Sequence, residues 1–196
     1  MRAIERRRVL AVTPLVIVLA LAAVYWSQRL TAWLAYDDEG SYLYAAWRIC
    51  LGEFPYRDFL TPQLPGFLYP GALLLALTNY SVLAARLWSV VQLVITAVLL
   101  YLTVASLSDR WVALLASVLF TVQRDVFWAA RFFRPEAPML FWGMLGLYLF
   151  VLGYPRRRSA TLCLSGVALA LSTVSKLFGA LYLLGVALYI LRQGLR

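Results

Sequence analysis

The sequence predicts an all-α, polytopic membrane protein with about six transmembrane helices and two interfacial helices in its first outer loop. Three observations predict it. Apolar runs near the ~20 residues that a bilayer core demands recur along the chain, Trp, Tyr and Arg stand at their ends, and the basic residues favour alternate connections. The composition agrees: of 196 residues 63% are hydrophobic and 14% charged, far from globular averages.

Taken in order, the spans are 9–26, 81–107, 111–127, 138–152, 159–174 and 177–191. The first has the basic start, short apolar core and Ala20-Leu21-Ala22 pattern of a signal peptide. Its apolar character continues through Tyr25, Trp26, Trp33 and Leu34, so an uncleaved anchor ending in an aromatic belt is expected. The run 66–77 is too short to span and follows Pro62 and Pro65, which makes it an interfacial or re-entrant helix. Counting it as a span would put Arg156, Arg157 and Arg158 outside. With six spans and a cytoplasmic N terminus, the inner segments "MRAIERRR", "SDR", "YPRRRS" and "RQGLR" hold ten basic residues and two acids, leaving eight basic and seven acidic residues outside. The expected organisation is a single transmembrane domain over 1–196, with outer loops at 36–80 and 122–138. The chain stops directly after its sixth span, which reads as the N-terminal portion of something longer.

Composition also excludes functions. There are no histidines, which removes His-based acid/base chemistry, the Ser-His-Asp arrangement and His-containing zinc sites. The net charge of +9 is dispersed, with no contiguous basic face, so no nucleic-acid partner is expected. Cys50 and Cys163 belong to no CxxC motif and fall on opposite sides of the predicted topology, so no internal disulfide is expected.

Asp37, Asp38 and Glu39 open the first outer loop. Asp37 or Asp38 is expected to cap a helix over 39–51 that Gly52 ends, but a cap needs one acid. The second outer loop crowds Arg124, Asp125, Arg131, Arg134 and Glu136 between apolar runs, on the side where basic residues are disfavoured. Charges at that depth are costly unless they pair or line a polar cavity. Guanidinium groups clamp phosphate oxygens, and a carboxylate takes a proton or holds a divalent cation. A substrate with a lipid tail and an anionic head fits both loops.

The stretches "DDEGSYLYAAWRICLGEFPYRDF", "TPQLPGFLYPGALLLAL" and "LAARLWSV" resemble the first outer loop and second span of polyprenyl-phosphate-sugar-dependent glycosyltransferases of the GT-C fold. Within that group the resemblance is to family-39-like enzymes, protein O-mannosyltransferases and the aminoarabinose transferase of lipid A. "RFFRPEAPMLFW" is similar to their second motif, which more often carries Asp where this chain has Glu136, and "STVSKLFGALYLL" resembles a later segment with one lysine. The resemblance implies an inverting transfer at the outer face of the plasma membrane, from a polyprenyl-phosphate-linked sugar to an acceptor lipid, glycan or protein. It implies Asp38 as general base, assisted by Glu39 and Glu136, with Arg131, Arg134 and Lys176 holding the leaving phosphate and Asp58 contacting the sugar. It also allows a divalent cation, Mg or Mn, between Asp38, Glu136 and the phosphate. For Arg57 and Arg86, headgroup contact and loop packing explain the charge as well as catalysis does. The rival class is a polyprenyl-lipid flippase or membrane assembly subunit, which also needs arginines beside a lipid phosphate but no carboxylates beside an acceptor.

Overall fold

The computed structural model describes residues 2–28, 30–31 and 37–194, and among these it is all-α with no named strand. The helices run α1 Arg2–Ser27, α2 Asp37–Cys50, α3 Pro65–Leu77, α4 Val82–Leu107, α5 Arg110–Val122, α6 Arg124–Arg131, α7 Glu136–Gly153, α8 Ser159–Ser175 and α9 Ala180–Gly194, with one 3₁₀ turn at Leu177–Gly179.

Local chemistry sets many of these ends. Gly52, at φ +88°, supplies the left-handed residue just past α2. Pro65 opens α3, where its missing N–H costs nothing. The Ser81 hydroxyl accepts from the Ala84 N–H at 3.2 Å to start α4, and Asp109 accepts from Trp111 and Val112 at 2.7 and 3.1 Å to start α5. Asp109 stands in a segment read as one of the inner connections; here it is a cap. The whole of α2 matches the helix expected after the acidic triplet, beginning at Asp37 rather than at 39. The capping role expected of the Asp37 side chain lies outside the described residues.

Among the described residues two helices, α4 and α7, are long and apolar enough to cross a membrane, and α5 with α6 adds a third if that pair is one span. The run read as a single span at 111–127 is in fact broken at Gln123, and its two halves bend by 62°. Gln123 has extended backbone, and Arg124 and Asp125 follow it; this polar triplet interrupts the apolar run. The remaining apolar runs form the shorter helices Pro14–Ser27, Pro65–Leu77, Ser159–Ser175 and Leu177–Gln193. At 13 residues, α3 is ~20 Å long, against a hydrocarbon core of ~30 Å.

Helices α4, α7 and α8 form the packed centre, and hydroxyl-to-carbonyl bonds join α8 to α7: Ser165 to Gly146 at 2.7 Å and Ser172 to Met139 at 2.8 Å. A Cβ on Gly146 would meet the Leu169 side chain at 2.7 Å, so this close helix approach needs glycine. One core patch gathers Trp26, Leu93, Ala129 and Ala137 from α1, α4, α6 and α7; another gathers Ala46, Phe67, Leu68, Ala85 and Phe133 from α2, α3, α4 and the α6–α7 connection.

Candidate functional site

The starts of α2, α3, α4 and α7 and the ends of α6 and α8 meet at one end of the bundle. The α6–α7 connection, Phe132 to Pro135, is pegged there residue by residue. The Phe132 ring lies under the Arg86 guanidinium at 5.5 Å, and the Phe133 ring packs on Phe67 with centroids 4.7 Å apart. Arg134 then turns to Glu136, which opens α7, where a negative charge suits the helix dipole.

Glu136 organises the cations. Its Oε1 accepts from Arg134 Nη2 at 2.7 Å and from Lys176 Nζ at 2.8 Å, so one carboxylate oxygen holds two positive groups. Its Oε2 has no hydrogen-bond partner among the described residues. Lys176 closes α8, and its position follows from packing: Ser175 donates to Leu171 O at 2.7 Å and to Gly66 O at 3.4 Å, which ties the end of α8 to the start of α3. Beside Lys176 lies a cavity of about 340 Å³ lined by Tyr42, Gln63, Pro135, Ser175 and Phe178. Glu136 also borders a more apolar cavity of about 330 Å³, with Phe120, Met139, Leu140, Met144 and Tyr182 in its wall. Lys176 therefore borders one cavity and its partner Glu136 the other, more apolar one.

Glu39 is at the same end but buried, with 4% of its surface exposed. Arg86, also buried, donates to it twice, Nε to Oε1 at 3.0 Å and Nη2 to Oε2 at 2.6 Å. The Phe133 N–H donates to Oε1 at 2.8 Å, and Arg86 Nη1 donates to Leu30 O. Asp38, the preceding residue, is exposed.

The remaining expected residues are arranged differently. Arg131 ends α6 with its guanidinium over the Phe127 ring at 4.9 Å. Asp58 is engaged by its own loop: Arg57 donates at 2.9 and 2.8 Å and the Phe54 N–H at 2.8 Å. Those bonds hold its carboxyl down at about 2, the Arg57 contact contributing most. Arg48 pairs with Glu53, donates to Asp58 O at 3.3 Å and stacks over Phe59 at 4.7 Å, holding this loop against α2.

The donor set does not build a cage for a divalent cation. Among the described residues no three acidic, His or Cys side chains converge, and Glu136 Oε1 is already shared by two cations that would repel a third. Sequence reasoning missed Arg86 as the partner of Glu39. The available signal was an arginine one turn inside an otherwise uncharged 26-residue helix, a placement that demands a partner.

No curated protein and no solved structure matches the chain. The model of the family described as dolichyl-phosphate-mannose-protein mannosyltransferase matches residues 63–195, a stretch that holds Arg86, Arg131, Arg134, Glu136 and Lys176 and begins after Asp38, Glu39 and Asp58. With most of its length inside that match, this apolar all-helical chain belongs to the dolichyl-phosphate-mannose-protein mannosyltransferase family of membrane glycosyltransferases.

Proposed function

We propose that the protein transfers a sugar, mannose by the family description, from a polyprenyl phosphate to a hydroxyl acceptor at the extracytoplasmic face, with inversion at the anomeric carbon. The observation that carries this reading is the pair Arg134 and Lys176 on one oxygen of Glu136, at the same end of the bundle as the exposed Asp38. Two cations on one carboxylate leave a net positive charge for an arriving phosphate, and the cavity beside Lys176 has room for a headgroup. The apolar cavity beyond Glu136 suits an isoprenoid tail.

In the proposed step the acceptor oxygen attacks the anomeric carbon from the face opposite the phosphate. Asp38 takes the hydroxyl proton as the new C–O bond forms. The bond between that carbon and the phosphate oxygen breaks, and its electron pair leaves with the polyprenyl phosphate. Arg134 and Lys176 receive the added charge. Glu136 keeps both cations in place between turnovers. Protein hydroxyls are the acceptor class that the family description suggests.

The test is transfer of labelled mannose from polyprenyl-phosphate mannose to a Ser/Thr peptide in proteoliposomes, with donor binding measured alongside. Asp38→Asn keeps the shape of the side chain and loses the proton acceptor, so turnover is expected to fall roughly 100-fold or more while donor binding survives. Asp37→Asn is expected to stay within a few-fold of wild type. Normal transfer by Asp38→Asn moves the base elsewhere; label that crosses the bilayer without reaching any acceptor makes the protein a flippase.

A further inference from the structure

We infer that Glu39 is a positioning residue, not a proton carrier, and that its bond to the Phe133 amide sets the spacing between the base and the phosphate clamp. The inference rests on Asp38 being the base. Asp38 and Arg134 are 96 positions apart in sequence, yet each is the chain neighbour of one partner in a single hydrogen bond, Glu39 Oε1 accepting from Phe133 N–H at 2.8 Å. Fixing that bond fixes the backbone on which both working side chains stand.

The surroundings hold it firmly. Glu39 and Arg86 are 4% and 8% exposed, and Arg86 bridges α2, α4 and, through Leu30 O, the segment after α1. Phe133 is anchored independently in the core between α2 and α3. Taking a proton from an acceptor would require Glu39 to abandon a buried arginine, and an uncompensated buried charge is strongly disfavoured. Asp38 points to no such penalty, being exposed. The two adjacent acids thus divide the work: one reacts, and its neighbour holds it in register with the cations.

The experiment compares kcat, donor KM and donor binding for Glu39→Gln, Glu39→Asp and the double variant Glu39→Gln/Arg86→Gln, with Asp38→Asn as reference, in the full-length protein in proteoliposomes supplied with polyprenyl-phosphate mannose and a Ser/Thr peptide. Glu39→Gln takes away the carboxylate charge that the buried Arg86 guanidinium faces, and kcat is expected to fall about 10- to 100-fold. The double variant removes both charges and lets two amides pair while Gln still accepts from Phe133, so kcat is expected to recover to within about 10-fold of wild type. Glu39→Asp keeps the charge but is one methylene short of holding Arg86 and Phe133 together, and a fall in kcat of about 10-fold or more is expected with donor binding retained. A folded, donor-binding double variant as inactive as Asp38→Asn would make Glu39 a proton carrier and overturn the inference. Unchanged kcat in Glu39→Asp would overturn it as well, and this charge-preserving variant decides the matter if the Gln variants do not fold. Failure of the base assignment shows separately, as normal transfer by Asp38→Asn.

Discussion

Arg134 and Lys176 share one oxygen of Glu136 and so compete for it, which leaves each of them able to turn toward a phosphate. The two are not equivalent, because a guanidinium offers a planar fork and an ammonium a point charge. Arg134→Lys keeps the charge and loses the fork, and donor affinity measured by equilibrium binding is expected to weaken by about 1–3 kcal/mol; unchanged binding in Arg134→Ala would assign the residue to structure alone. Asp58 gives a second expectation. Its carboxyl is held at about 2 by Arg57 and the Phe54 N–H, below an unfolded value of about 3.9. A depressed value means that its contribution to loop order is fully present above about pH 4 and is lost as pH falls through about 2. An acid limb in the transfer rate between about pH 4 and 7 therefore belongs to another group, and Asp58→Asn is expected to leave that limb where it is in a pH–rate profile. Arg134 and Glu136 stood out in the sequence because charges at membrane depth need a reason, whereas Asp38 and Lys176 were singled out through the family resemblance. The sequence did not show that Glu39 is committed to Arg86 and a backbone amide, since partners 47 and 94 positions away are set by packing alone.

At the scale of elements, the site depends on how closely α3 and α8 meet. A Cβ on Gly66 would stand 2.7 Å from both the carbonyl carbon and oxygen of Val174, and backbone atoms cannot swing aside. Gly66→Ala must push α3 away from the α8 terminus that carries Ser175 and Lys176. A loss of about 1–3 kcal/mol in thermal unfolding is expected, with weaker donor binding beside it. Gly166, in the interior of α8, has nothing within 4 Å of such a Cβ; Gly166→Ala is expected to stabilise by up to about 1 kcal/mol and to leave donor binding unchanged. The existence of these helices was legible in apolar run length, and the ends of α2 and α3 in Gly52 and Pro65. The 62° break between α5 and α6 was not. Averaged over a bilayer-length window, the apolar residues on both sides outweigh Gln123, Arg124 and Asp125, whereas the backbone responds to that triplet locally.

At the scale of the whole molecule, the reading requires that the end holding Asp38 and the cations face outward while the basic connection at 156–158 faces the cytoplasm. The fold agrees in arrangement: the clustered starts of α2, α3, α4 and α7 lie at the opposite end of α7 from Arg156, Arg157 and Arg158. Long, apolar α4 and α7 fix that axis, while six crossings remain the proposal built on the positive-inside count. Native cysteines report it poorly, because Cys50 is half-buried with its thiol donating to Ala72 O at 3.2 Å, and Cys163 lies within α8. A better pair uses a background carrying Cys50→Ser and Cys163→Ser. Leu60, 95% exposed at the tip of the 51–64 loop, and Arg157, in the exposed turn after α7, then report the two faces. An impermeant maleimide applied to intact cells is expected to label Leu60→Cys at once and Arg157→Cys only after permeabilisation. The reverse pattern would turn the site toward the cytoplasm and remove the extracytoplasmic acceptor; immediate labelling of both would place the loop and the turn on one side, leaving α4 and α7 without the single crossing that separates base and clamp from the basic face.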